Sequence, residues 1–413
     1  MKLIEIKIQD LFGMLNYTVP LDKNEITMLT GPNGYGKTMI LKILYSILAN
    51  DLHVLFNLKF GSIDLSYQGG MISVQHGNDN KSLFIKFYRE NGELELNEEI
   101  LQPENKSIEF KKNDIKWNLD IINLIESRNS EIKEKVLVTS KHLGNVFKKN
   151  SISFIKADRL QNNNGDESVI DICANKLSKI MEASQDESAA ISQKLDASFP
   201  IRLFDRLEEN KRFASHSIDS RLKGVQDKRQ EYKYYGLIQS ENGLMSDKAT
   251  LRDSSNEYLG VLDLYIDDTL DKLSPFEILY KKLNLFEKIL ESKVLAFKKI
   301  SINIGNGFSF TNSKGDIVER NMLSSGEQNQ IVLLFNLIFD FSSEEIILID
   351  EPEISLHVAW QKTFLESLKE IQSINKFEKV IIATHSPQVI SKNWELTFDL
   401  YDALNIETKS SDE

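Results

Sequence analysis

The 413-residue sequence predicts an α/β fold: a mixed core sheet covered by helices, with an antiparallel β subdomain, interrupted by a mostly helical insertion. Three observations predict it. A glycine-rich loop, Gly31-Pro32-Asn33-Gly34-Tyr35-Gly36-Lys37-Thr38, stands between a short apolar run and a stretch of helical periodicity. Two continuous apolar runs, Ile346–Ile349 and Val380–Ala383, suit strands buried on both faces, as in a parallel sheet. Between the loop and these runs, from about residue 168 to 298, glycine and proline become sparse and apolar residues recur at helical spacing.

The loop is the strongest signal. Ile26-Thr27-Met28-Leu29-Thr30 reads as a buried strand leading into it. Met39–Leu48 follows with Ile40, Leu41, Ile43, Leu44, Ile47 and Leu48 on helical spacing. Glycines let the backbone curl until its N–H groups converge on an anion, and the helix dipole adds to that field. The positions expected to bind phosphate are Asn33, Gly34, Gly36, Lys37 and Thr38. Lys37 supplies positive charge for terminal phosphates, and Thr38 a hydroxyl ligand for Mg²⁺.

Elsewhere the elements follow from patterning. Residues 2–9 alternate, with Ile4, Ile6 and Ile8 on one face, as a half-exposed strand does. Short strands are expected at Ile63–Leu65, Met71–Val74, Ser82–Arg89 and Glu93–Leu96, with turn chemistry at Gly69-Gly70 and Asn91-Gly92. Residues 99–150 are mixed and carry no clear pattern. Ser151–Ala157 reads as a buried strand ending in Asp158-Arg159-Leu160-Gln161, polar groups that either face a ligand or form a simple loop. The helical insertion lacks sustained heptads, which argues against a long coiled coil. Gly224, Gly236, Gly243 and the polar run Gln239–Asn242 are expected to break it into pieces, with a mobile segment near 237–256. Ile302–Ile304 and Gly307–Phe310 suit two strands joined by a turn. The expected units are therefore 1–165 and 300–403 as two parts of one head, 166–299 as the insertion, and 404–413 as a frayed polar tail.

Three further motifs carry chemistry. The run Ile346–Asp350 is an apolar strand ending in two carboxylates, Asp350 and Glu351. Beside a phosphate loop, Asp350 can support Mg²⁺ and Glu351 can act as the general base toward water. Leu323-Ser324-Ser325-Gly326-Glu327-Gln328 precedes an apolar helix; Ser324 Oγ and the Gly326 N–H suit a second anion site, and a plain helix cap with Glu327 in a capping box is the alternative. His385, in Thr384-His385-Ser386-Pro387, follows an apolar strand, where it can donate to a γ-phosphate or hold the attacking water, and a structural histidine is the alternative. His357 lies in the loop after the carboxylates, and the remaining histidines carry no comparable signal.

Composition narrows the setting. No apolar run approaches the ~20 residues that span a bilayer, and Met1–Ile6 alternates apolar and charged residues where a signal peptide has an apolar core. The single Cys173 excludes an internal disulfide and a cysteine-rich zinc site. These features imply a cytoplasmic protein without membrane partners. A net charge of −12 argues against a protein coated in nucleic acid. Two basic clusters, Lys141/Lys148/Lys149/Lys156 and Arg221/Lys223/Lys228/Arg229/Lys233, have acidic residues interleaved and suit a solvated surface better than a groove.

Taken in order, Gly31–Thr38, Leu323–Gln328, Ile346–Glu351 and His385 resemble the head of an ABC-type ATPase. The long span between the first two motifs is similar to the SMC, RecF and OLD-like branch. The segments Ile349–His357, Ala383–Gln388 and Phe154–Leu160 resemble the OLD-like members most. The resemblance covers roughly 1–165 and 300–400, and leaves the middle unexplained. It implies two heads closing around two ATP molecules with Mg²⁺. Lys37 and Thr38 would bind phosphate and metal, Asp350 would support the metal, and Gln161 is the candidate for a further metal-binding glutamine. Glu351 would be the base and His385 the γ-phosphate sensor. Ser324, Gly326 and Glu327 would reach the other subunit's ATP. The signature departs from the usual pattern at Ser325 and Glu327. OLD-like proteins carry a nuclease domain after the head, and here the chain ends soon after the His385 segment. The resemblance therefore extends to stand-alone ATPases of bacterial antiphage systems (Septu, retron-associated and PARIS types), which control a separate nuclease or toxin effector. A RecF-like ATPase clamping DNA, with DNA or RNA as partner, and an ATP-bound scaffold holding a toxin inactive are the alternatives.

Overall fold

The computed structural model describes residues 2–78, 81–102, 139–147, 152–160, 167–208, 212, 214–239, 255–295, 297–341, 343–354 and 356–404. A five-stranded sheet organises the head, in the order β14-β3-β13-β12-β8. Its strands are β3 (Ile26–Thr30), β8 (Ile152–Ile155), β12 (Ile346–Asp350), β13 (Lys379–Ala383) and β14 (Thr397–Asp399). The pairings described among these strands are all parallel, as the two continuous apolar runs suggest, and the antiparallel pairings described lie in the other two sheets.

The continuous apolar runs are explained by two cores. Ile346 and Leu348 of β12, with Ile381 and Ala383 of β13, face one core together with helix α1 (Lys37–Leu48). Ile347, Ile349, Val380 and Ile382 face the other core. A strand alternates its side chains between faces, so a strand buried on both sides has no polar positions to spare.

The first core also packs a second, six-stranded sheet in the order β2-β1-β4-β5-β6-β7. Here β1 is Leu3–Leu11, β2 Leu15–Pro20, β4 Ser62–Tyr67, β5 Gly70–His76, β6 Ser82–Arg89 and β7 Leu94–Leu101. All its pairings are antiparallel, as expected of a subdomain beside the nucleotide loop. The strand expected over 151–157 is shorter, Ile152–Ile155, and much of the unpatterned 99–150 stretch lies outside the described residues.

The insertion is built from α2 (Val169–Glu208), α3 (Ser215–Tyr234), α4 (Asn256–Leu273) and α5 (Phe276–Ile289). At 40 residues, α2 is about 60 Å long at 1.5 Å per residue, and it retains Pro200 within it. Gly224 does not break the insertion. It lies inside α3, where the helix closes over it because Ile218, Val225 and Tyr232 bury the flanking turns. Gly236, with φ +72°, does terminate α3. Gly243 and most of the segment expected to be mobile lie outside the described residues, as does the tail from 405.

The outer part of the insertion is held by charge. Asp263 on α4 is buried between Arg206 of α2 and Arg221 of α3, and Asp268 pairs with Arg202. Arg221 also meets Asp267, and Lys228 reaches Glu277 at 3.7 Å. These pairings neutralise part of the second basic cluster. In the first cluster, Lys148 and Lys149 lie outside the described residues.

A small antiparallel sheet, β9 (Lys298–Asn303), β10 (Gly307–Asn312) and β11 (Ile317–Val318), follows the insertion. It leads to α6 (Ser325–Phe335), which continues as a π-helical turn over Asn336–Asp340, and α7 (Val358–Asn375) joins β12 to β13. Phe286 of α5 packs its ring against Phe308, Phe335 and Phe339, so one side chain ties the insertion to α6 and the second core. Phe286→Ala should cost about 3–5 kcal/mol of stability through lost burial and a cavity. A lowered urea midpoint and Tm in circular dichroism would report it.

Candidate nucleotide site

Strand register assembles the site. Asp350 pairs with Ala383, and Ala383 with Leu29, so β12, β13 and β3 end nearly level. The residues that follow each strand are therefore neighbours in space. They are Glu351 after β12, Thr384 and His385 after β13, and the glycine loop after β3.

The loop adopts the conformation its glycines predict. Gly31, Gly34 and Gly36 have φ of +132°, +86° and +85°. Gly36 caps α1, and a Cβ there would sit 3.0 Å from Leu11 Cδ2, so both angle and space require glycine. Tyr17 Oη donates to the Tyr35 carbonyl at 2.9 Å and fastens the loop to the antiparallel sheet. Asn33 and Gly34 are exposed at its tip.

Lys37 begins α1 and is buried, with Nζ donating to the Gly31 and Pro32 carbonyls at 2.8 and 3.0 Å and lying 3.2 Å from His385 Nδ1. Burial lowers its pKa, and the charges of Glu351, Glu353, Asp350 and Asp399 hold it up. Thr38 Oγ1 donates to Asp350 Oδ1 at 2.8 Å. His385 Nε2 lies 3.8 Å from Glu351 Oε1. Lys37, Thr38, Asp350, Glu351 and His385, expected from three separate motifs, thus form one cluster.

Glu351 stands out for its backbone. Its φ is +43°, in the left-handed region that side-chain-bearing residues avoid. The peptide is fixed on both sides: its N–H donates to the Ala383 carbonyl at 2.9 Å, and its carbonyl accepts from Arg159 Nη2 at 2.9 Å. Arg159 comes from the loop after β8, where the sequence allows either a ligand-facing group or a simple loop. Glu353 is the other residue outside the expected set. Its Oε1 accepts from Thr384 Oγ1 and from the His385 and Ser386 N–H groups. The signal available for both was a charged side chain in the loop that follows a core strand.

The second anion motif stands apart from this cluster. Ser324 caps α6, and a full capping box is present: Ser324 Oγ accepts from the Glu327 N–H at 3.3 Å, and Glu327 Oε2 accepts from the Ser324 N–H at 2.9 Å. Glu327 Oε1 meets Lys298 Nζ at 2.7 Å, so both carboxylate oxygens are engaged within the chain. Among the described residues, no hydrogen bond or ion pair joins Leu323–Gln328 to the Lys37–His385 cluster. His357 caps α7 by accepting from the Ala359 N–H at 3.2 Å. Gln161 lies outside the described residues.

A Mg²⁺ ion fits what is present. The Thr38 hydroxyl and Asp350 carboxylate are adjacent hard oxygen donors, and Mg²⁺ typically takes one or two protein carboxylates and completes its shell with phosphate and water. No group of three or more potential metal-ligating side chains occurs among the described residues.

Burial raises the Asp350 pKa above its ordinary value of 3.8, partly countered by the Thr38 hydrogen bond and the charge of Lys42. A carboxyl with raised proton affinity in the fold contributes most to stability in acid, and that contribution is lost as pH rises through 3.8 toward the raised value. At neutral pH the ionised group carries the cost. Asp350→Asn should therefore raise Tm at pH 7, with the gain vanishing toward pH 3, as read by thermal melts across that range.

Residues 1–390 match the family model described as AAA ATPase domain. Among solved structures, an SMC head domain with an extended coiled coil from Pyrococcus furiosus, bound to the C-terminal domain of ScpA, is similar at 14% identity and a TM-score of 0.38, with 94% of this chain and 91% of that chain covered. The SMC head domain from Thermotoga maritima is similar at 14% identity and a TM-score of 0.32, with 96% and 92% covered. Likeness at this level is loose. No curated protein matches the chain significantly. The family rests on the long match together with the loop, the lysine and the paired carboxylates: the chain belongs to the AAA ATPase domain family and is an ATPase.

Proposed function

We propose that this ATPase works as a homodimer or larger homo-oligomer whose nucleotide sites are composite. Each site joins the Gly31–Thr38 loop, Asp350, Glu351 and His385 of one subunit with Ser324 and Gly326 of another. The observation that carries this reading is the separation of the two anion motifs. The loop cluster is assembled within the chain, whereas the Ser324 helix end makes no bond to it among the described residues. Thr38 and Asp350 hold Mg²⁺, which supplies charge neutralisation at the phosphates when bound. Lys37 binds the terminal phosphates, Glu351 orients and deprotonates the attacking water, and His385, within reach of both Lys37 and Glu351, registers the γ-phosphate.

In the cell, the reading we favour is the ATPase subunit of a bacterial antiphage defence complex, closing around ATP and controlling a separate nuclease or toxin effector. The motif resemblance at Ile349–His357, Ala383–Gln388 and Phe154–Leu160 supports it. A DNA-clamping role finds less support, because Arg206, Arg221 and Lys228 are engaged in ion pairs and the net charge is −12. No helix among the described residues is long and apolar enough to cross a membrane.

Glu351→Gln should keep ATP binding and lower turnover by ~10²–10⁴-fold, while Lys37→Ala should weaken nucleotide binding itself; equilibrium binding and phosphate release separate the two. Mixing Lys37→Ala with Gly326→Asp subunits gives the sharper test of composite sites. Each variant alone should be inactive, and the mixture should regain turnover because one intact site forms across a mixed dimer. No recovery on subunit exchange would mean that the site is complete within one chain. The effector reading predicts co-purification of the chain with the product of an adjacent reading frame.

A further inference from the structure

The proposed chemistry uses Glu351 and His385 but leaves Glu353 unexplained. It is held in the turn after β12 and reaches across to the segment after β13. Its Oε1 accepts three hydrogen bonds, from Thr384 Oγ1 at 2.8 Å, the His385 N–H at 2.6 Å and the Ser386 N–H at 3.1 Å. Thr384 is fully buried, and its hydroxyl also accepts from the Ser386 N–H at 3.0 Å, which closes a compact ring of bonds around the start of the His385 segment. Ser386 Oγ donates in turn to Gln361 Oε1 of α7 at 2.7 Å.

The other oxygen of this carboxylate, Glu353 Oε2, is buried and without a partner among the described residues. So are Nε and Nη1 of Arg159, whose remaining nitrogen binds the Glu351 carbonyl. Arg159 is 7% exposed. Burial lowers its pKa to about 10, and Glu353 is foremost among the charges that hold it up. Arg159 fixes the left-handed peptide of Glu351, and Glu353 fixes the backbone that carries His385.

We propose that Glu353 is a positioning residue that couples the Glu351 loop to the His385 loop. It sets the imidazole between Lys37 Nζ and Glu351 Oε1. Hydrogen bonds to a carboxylate are stronger than those to neutral acceptors, and a small misplacement of a catalytic group is costly to rate. Movement of one loop is therefore transmitted to the other through a single side chain. The proposal rests on the reading of Glu351 as base and His385 as sensor, and it concerns how they are held rather than what they do.

The test is a double-mutant cycle in the full-length protein, with kcat, KM and nucleotide Kd measured for each variant. Glu353→Ala should lower kcat by about 10-fold or more and leave Kd within about twofold, because it displaces the reacting groups rather than the loop that binds phosphate. Glu353→Gln should recover much of the loss, since its amide oxygen still accepts the three bonds. In a His385→Ala background, Glu353→Ala should cost less than about twofold, because residues acting as a unit are strongly non-additive. Equal losses in both backgrounds would overturn the coupling while leaving the site reading intact. If His385→Ala alone leaves turnover unchanged, the sensor reading and the coupling fall together. Should Glu353→Ala not fold, Thr384→Val removes one of the three bonds and runs the same cycle, with a smaller loss expected in wild type and none in His385→Ala.

Discussion

The level ending of three parallel strands is the constraint on which the nucleotide site depends. Leu29, Ala383 and Asp350 are laid side by side by the hydrogen-bond register of β3, β13 and β12. Parallel pairing sends all three chains out of the sheet at the same edge. The lysine, the hydroxyl, two carboxylates and the histidine then lie within a few ångströms without any of them being sequence neighbours of the others across motifs. A one-residue slip of β12 against β13 would turn its side chains to the opposite face and exchange the two cores. The wholly apolar strands make that slip expensive everywhere except at their ends, which is where the polar groups stand.

Charge is balanced locally rather than by solvent. Lys37 is buried, yet Glu351, Glu353, Asp350 and Asp399 all favour its protonated form. Asp350 is buried with a hydroxyl against it. Such a site is costly to keep ionised and is correspondingly responsive to an arriving anion and cation. The proton affinities of Lys37 and Asp350 are moved in the directions that bring their charged forms closer to neutralisation. A polyphosphate with its metal would relieve both strains at once.

Much of this was legible in the sequence, and the unread part has a common cause. The glycine loop announces itself because positive φ leaves few residues free at Gly31, Gly34 and Gly36, with close approach added at Gly36. The apolar runs of β12 and β13 show because burial on both faces removes alternation. Arg159 and Glu353 did not declare a role, since a charged residue after a strand is ordinary and only the register reveals what it meets. Gly224 misleads for the reverse reason: its local cost of about 1 kcal/mol in a helix is outweighed by the burial of Ile218, Val225 and Tyr232 around it. The capping box at Ser324 and Glu327 was readable as a motif, but whether its carboxylate faces a ligand or its own helix depended on Lys298, which lies 29 residues away.

The strand order has a consequence for how the protein is made. Within the core sheet, β3 at residues 26–30 lies between β13 at 379–383 and β14 at 397–399, and β8 pairs with β12 almost two hundred positions later. On a ribosome, the glycine loop emerges early and then has no sheet to join until nearly the whole described chain has been synthesised. Contacts of such long sequence separation form slowly and leave apolar strands unpaired meanwhile. The antiparallel sheet of β1, β2 and β4–β7 is the exception, since its strands are close in sequence and can pair at once. Biosynthesis would therefore deliver the antiparallel sheet first, the insertion next and the nucleotide pocket last, so that capacity to bind ATP marks a closed core sheet.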